Sequence, residues 1–170
     1  MTINILPYFM HNCHILLYIN NMKRNIIKYG IIFIPLLIGI LVSLLVNPSS
    51  YSDISKPILS PPGALFPIAW SILYLLIGIV LYRLNNSEYD YDSTKVIVIN
   101  LIINYIWPFL FFKFKLYYIS AIWILLLLYS TSVVIDVVNK KNKISSYLLI
   151  PYYIWLLFAL YLNVGVALLN

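Results

Sequence analysis

Five apolar windows, each free of charged residues, divide the chain. Tyr29 to Val46 gives 18 residues, Pro57 to Tyr82 gives 26, Val96 to Phe112 gives 17, Leu116 to Ile135 gives 20 and Ile144 to Asn170 gives 27. A helix crossing the hydrocarbon core of a bilayer needs about 20 residues, within a range of about 17 to 25. None of the windows alternates apolar and polar residues, so membrane strands are not expected. Backbone polar groups inside lipid must be satisfied within their own segment, which predicts a helix for each window. The pattern therefore predicts an all-α fold: a polytopic membrane protein built as a five-transmembrane-helix bundle. The first residues of the second window, with Pro61, Pro62 and Gly63, read as loop.

Composition agrees with that partition. Of 170 residues, 63% are hydrophobic and 9% charged. A soluble domain of this size has too much surface to hide such a proportion of apolar side chains. The five acidic residues (Asp53, Glu88, Asp90, Asp92 and Asp136) fall in loops or at a window's end. The net charge of +6 is spread in short clusters between windows, which favours topology signals near anionic headgroups over a nucleic-acid surface. Eight Lys and Arg lie in the alternate segments that share a side with the N-terminus, against three on the other side. The positive-inside rule then predicts a cytoplasmic N-terminus. The Ile-, Asn-, Lys- and Tyr-rich usage points to an AT-rich microbial genome and so to a bacterial cell membrane, with an organelle membrane as the alternative. A single cysteine, Cys13, excludes an intrachain disulfide.

Residues 1–25 read as a poorly defined leader and 26–170 as the transmembrane domain. Met22, followed by Lys23, Arg24 and then the first window, is the expected natural start. His11, Cys13 and His14 lie in this leader at a spacing that matches no closed zinc site, and no metal is expected.

Three windows carry a tryptophan on a face with polar or small neighbours. In the second, Phe66, Trp70, Tyr74 and Gly78 recur every four residues and share one helical face. Pro67 either kinks this helix or marks its true start. In the third, Asn100, Asn104, Trp107 and Phe111 form one face with two amides at membrane depth. Such amides face the bundle interior, as links between helices or as a cavity lining. In the fifth, Pro151, Trp155, Ala159, Leu162 and Asn163 share a face, with Tyr152 and Phe158 nearby. One such stripe alone is ordinary packing. Three together predict a pocket for a large, flat, apolar ligand, because indole offers stacking area and one N–H donor.

No window centre holds a carboxylate, histidine, lysine or arginine, where ion-coupled transporters place ionisable groups. There is no Gly-rich phosphate loop, no Ser-His-Asp set and no paired carboxylates, so no conventional enzyme and no catalytic residue is expected.

The segments SPPGALFPIAWSILYLLIG, NLIINYIWPFLFF and PYYIWLLFALYLN, in this order, resemble the second, third and fifth helices of the TspO/MBR family. That family includes the translocator or peripheral-type benzodiazepine receptor proteins and the bacterial tryptophan-rich sensors. The resemblance runs from about residue 26 to the end. It implies a five-helix bundle, often dimeric, with a pocket closed by the loop between helices 1 and 2. It also implies binding of porphyrins such as protoporphyrin IX. Carried over by position, Trp70 and Trp155 are the pocket tryptophans. Asn104, Trp107, Phe158 and Ala159 match cavity-lining positions, with Tyr74 a further candidate. Asn100 and Phe111, on the face of Asn104 and Trp107, complete the expected ligand-binding set. Ala64 stands where the family usually has tryptophan, and Asn100 where glutamine is frequent. The sterol motif of animal members needs a basic residue after a tyrosine near the end of helix 5, and none follows Lys143. A loose match at Leu16, Tyr18 and Lys23 falls in the leader.

The expected function is a membrane sensor or scavenger that binds a tetrapyrrole, with the lipid bilayer, a porphyrin-type small molecule and, as the resemblance implies, a second copy of the chain as partners. Light-dependent porphyrin degradation through Trp70 and Trp155, and facilitated passage of porphyrin or another lipophile, are the alternatives.

Overall fold

The computed structural model describes residues 29–46, 54–85 and 90–170. The leader, with Met22, His11, Cys13 and His14, lies outside the described residues. The described chain is helical. A 3-10 turn (Ile31–Phe33) leads into α1 (Ile34–Val46). It is followed by α2 (Leu65–Leu84), α3 (Tyr91–Pro108), α4 (Tyr117–Lys141), the short α5 (Lys143–Tyr147) and α6 (Ile150–Leu169). Four apolar helical spans, Leu65–Leu84, Tyr91–Lys113, Tyr117–Lys141 and Lys143–Leu169, are long enough to cross a membrane. The segment Ile31–Val46 is the shorter, equally apolar fifth member of the bundle. The chain is an integral, multi-pass, all-α membrane protein.

The helix boundaries follow from local chemistry. Leu65 N–H bonds the Pro62 carbonyl at 2.9 Å and Phe66 N–H bonds that of Gly63 at 3.3 Å, so the Pro-Pro-Gly stretch turns directly into α2. Pro67 thus falls in the first turn, where the backbone N–H has no helical partner to lose. It sets the start of α2 and does not kink it. Pro108 has the opposite effect. Its missing N–H at the end of α3 breaks the regular ladder, and Phe109–Lys113 widen into a π turn closed by Phe114 N–H on the Phe109 carbonyl at 2.9 Å. Asp90 caps α3: its carboxylate accepts from Ser93 N–H at 3.2 Å and from Ser93 O–H at 2.8 Å.

The surface is apolar and the interior partly polar. Leu44, Ile58, Ile122 and Leu168 are among many exposed aliphatic residues, whereas Asn100, Asn104, Thr131 and Asn163 are buried. Water cannot serve polar groups at membrane depth, so they turn inward and bond one another. α4 packs extensively along α3 and α6, while α2 leans on α1 and touches α3 only sparsely. Gly78 lets α2 pack against the 3-10 turn that leads into α1, because any side chain there would collide with the Ile32 carbonyl. The gap between α2 and α3, roofed by α1, is where the cavity lies.

Candidate functional site

A cavity of about 690 Å³ opens between α1, α2, α3 and the loop before α2. Its aromatic wall is Phe66, Trp70, Tyr74, Trp107 and Phe112. α1 supplies the opposite wall with Leu36, Gly39, Ile40 and Ser43, spaced so that they lie along one face. Gly39 is needed there: a Cβ would lie 2.7 Å from Tyr74 Cδ2 and even closer to Cε2. Lys56 and Ala64 line the loop side.

That loop is anchored at its far end. Ser55 N–H donates to Asn170 Oδ1 at 3.0 Å, and Asn170 Nδ2 donates to the Ser55 carbonyl at 2.9 Å. Pro57 packs against Gly165, where a Cβ would lie 2.6 Å from its ring. The loop is thereby strapped to the C-terminal end of α6.

The residues expected to bind ligand separate into three groups. Trp70, Tyr74, Asn104 and Trp107 line the cavity together. Phe111, Trp155 and Ala159 instead line a crevice of about 10 Å³ behind Trp70. Asn100 and Phe158 line neither space. Trp70 and Trp155 do meet, edge-on at 6.5 Å, and share the crevice, but of the two only Trp70 also lines the larger cavity. Trp155 is the next layer, and its buried Nε1 has no acceptor among the described residues. Phe158 packs on Trp155 at 5.6 Å from outside. Asn100 sits one turn deeper than Asn104, where its amide bonds Ser130 at 3.1 Å and Thr131 at 2.9 Å.

The cavity tryptophans differ in their polar edges. Trp107 Nε1 donates to Asn163 Oδ1 at 3.1 Å, a bond shared with Ser120 O–H at 2.9 Å. Trp70 Nε1 has no such partner among the described residues. Its ring lies 5.5 Å from Tyr74, 6.2 Å from Trp107 and 6.3 Å from Tyr152. Sequence reasoning predicted the α1 helix but missed its part in the cavity wall, and missed Tyr105. Tyr105 O–H donates to the Pro35 carbonyl at 2.7 Å and ties α3 to α1 beside Tyr74, 5.4 Å away. The only trace in the sequence is the small-residue spacing of Gly39 and Ser43. No cluster of metal-ligating residues occurs among the described residues.

A multi-pass helical bundle with an aromatic, small-molecule-sized cavity inside the membrane is the class that fold and site define. The TspO/MBR family model matches residues 31–169, and the chain belongs to that family. It is 36% identical over 122 residues to the tryptophan-rich protein TspO of Archaeoglobus fulgidus, covering 71% of this chain and 79% of that one. It is 31% identical over 124 residues to the protein of the same name from Chlorobaculum tepidum, covering 71% and 78%. It is 25% identical over 120 residues to the tryptophan-rich sensory protein of Cereibacter sphaeroides, covering 71% and 76%.

Proposed function

We propose that the protein is a membrane tetrapyrrole-binding sensor or scavenger that holds a planar ligand in the cavity between α1, α2 and α3. The observation that carries this reading is the wall of Phe66, Trp70, Tyr74, Trp107 and Phe112 around about 690 Å³. That volume lies within the ~300–1,000 Å³ common for small-molecule sites. Offset stacking on a macrocycle suits indole and phenyl rings. Lys56, which lines the loop side, suits a propionate arm held near the interface. The sensory name of the Cereibacter sphaeroides relative supports the regulatory half of the reading.

Protoporphyrin IX titrated into the purified chain should quench tryptophan fluorescence at micromolar or lower concentration. Trp70→Ala removes the central wall and should weaken binding by about tenfold or more. Quenching that is unchanged in that variant overturns the reading.

The contacts from Trp70 to Trp107 and Trp155, at 6.2 Å and 6.5 Å, favour light-dependent porphyrin degradation as a second reading. A light-excited macrocycle would take one electron from this connected aromatic cluster and leave an indole radical cation, with dioxygen as the oxidant that the subsequent breakdown of the ring requires. Illumination of the complex that yields no new absorbance product removes it. The loops carrying Arg83, Lys95, Lys140, Lys141 and Lys143 face the cytoplasm in this proposal, by the positive-inside rule.

A further inference from the structure

A line of hydrogen bonds runs from the cavity wall through the bundle, and its direction can be read from its far end. Thr131 Oγ1 donates its one hydrogen to the Leu127 carbonyl at 2.7 Å. Towards Asn100 it can therefore only accept, and Asn100 Nδ2 lies 2.9 Å away, with Ser130 Oγ also in reach at 3.1 Å. The Asn100 amide is thus turned with its carbonyl towards Tyr152, whose hydroxyl donates to it at 3.2 Å. Having spent its hydrogen, the Tyr152 oxygen accepts from Asn104 Nδ2 at 2.9 Å. That fixes the second amide, with Asn104 Oδ1 accepting from Tyr74 O–H at 2.7 Å. Each hydrogen bond of the line is donated in the direction away from the cavity.

The consequence falls on the two residues at the line's start, Tyr74 and Asn104, which both line the cavity. The Tyr74 hydrogen is committed, so its oxygen offers the cavity only lone pairs. Asn104 turns its N–H edge towards Tyr152, which does not line the cavity, and leaves its carbonyl edge beside Tyr74. We infer that this corner recognises a hydrogen-bond donor on the ligand, an N–H or O–H group, and rejects an acceptor placed there. Thr131, Asn100 and Tyr152 are positioning residues that set the polarity from outside the cavity. A fixed polar group that finds no partner is costly in a dry site, which turns this polarity into specificity. The inference rests on the reading that the cavity holds a flat aromatic molecule, and it adds which chemistry that molecule presents to α2 and α3.

Carbazole and dibenzofuran test it, because the two tricyclic molecules share a shape and differ in a ring N–H against a ring oxygen. Equilibrium binding of each to the full chain in detergent, measured by calorimetry, should favour carbazole by about tenfold, the effect of one unmade hydrogen bond. In the Ser130→Ala, Thr131→Val double variant, Asn100 loses both acceptors and the line can reverse. The carbazole preference should then fall to about twofold or less. A purely structural role would weaken both ligands together and keep their ratio, and that result overturns the positioning role. Tyr152→Phe cuts the line at its middle and should lower the ratio likewise, which keeps the test open if the double variant fails to fold. Equal affinities in the native chain overturn this inference while leaving the cavity reading intact. Failure of both molecules to bind overturns the two together.

Discussion

The bundle is hollow on one side and solid on the other, although both sides draw on the same residue types. Between α1, α2 and α3 there is a cavity of about 690 Å³; among α2, α3 and α6 the space behind Trp70 shrinks to about 10 Å³. Trp70 faces the hollow with its N–H edge unclaimed by any described residue. Trp107 meets the hollow with its ring but sends its N–H into the solid side, to Asn163. Asn104 likewise borders the cavity, while Asn100, a turn away, is fully engaged by Ser130, Thr131 and Tyr152. Residue identity therefore does not separate a binding group from a packing group here. What separates them is the opposing helix: Gly39 and Ser43 of α1 leave space, whereas Trp155, Leu162 and Val166 of α6 close on the solid side.

The two glycines that face α1 and α2 give the largest expected contrast. Gly78→Ala drives a methyl into the Ile32 main chain, which has no room to yield. It should destabilise the bundle by about 3 kcal/mol, read as a lower Tm in detergent. Gly39→Ala meets the Tyr74 ring instead, a side chain with the cavity beside it. It should cost only about 1 kcal/mol, yet weaken porphyrin binding, because the ring yields into the space the ligand needs. Equal Tm losses for the two variants would contradict this division of the molecule.

Asn170→Ala addresses the strap on the loop before α2, and a smaller effect is expected. The substitution removes two exposed hydrogen bonds to Ser55, so Tm should move little. Lys56, next in the loop, lines the cavity, so loosening the strap should raise the dissociation rate of protoporphyrin IX by several-fold. Stopped-flow recovery of tryptophan fluorescence measures it. An unchanged rate would mean that the loop does not hold the ligand.

Most of the fold was legible because charge-free windows leave helices no alternative in lipid, and the windows from Leu116 and Ile144 coincide closely with α4 and with α5 and α6. The end of α3 was not legible: a proline announces a broken ladder but not whether the chain stops or widens into the π turn at Phe109–Lys113. The cavity was half legible. Helical spacing correctly put Trp70 with Tyr74 and Asn104 with Trp107, because a face is a local property. Spacing is silent on which face meets which, so it could not reveal that Trp70 stands in front of Trp155 or that Asn100 meets Ser130 and Thr131. The α1 wall escaped notice because every residue around that helix is apolar or small, and periodicity carries no contrast there.

The smallest effect on ligand binding is expected at the polar end of the bundle, away from the cavity. Burial pushes the Asp90 carboxyl up, but hydrogen bonds from the Ser93 side chain and backbone and the charge of Lys141 outweigh it, and its pKa lies below the ordinary 3.8. A carboxylate that is more acidic in the folded chain stabilises the fold when ionised. The contribution is therefore complete above the ordinary value and fades as pH falls below 3.8 through the depressed folded value. Lys141 adds little to it, since its Nζ is 4.0 Å from Asp90 Oδ2 and largely exposed. The N-cap bond to Ser93 is the main part, and Asp90→Ala should cost about 1 kcal/mol at neutral pH. The same variant should cost progressively less in thermal scans below pH 4, where native Asp90 takes up its proton. A constant difference between the two proteins across that range would show that the carboxylate contributes nothing through its charge, and would leave shape alone to account for the cap.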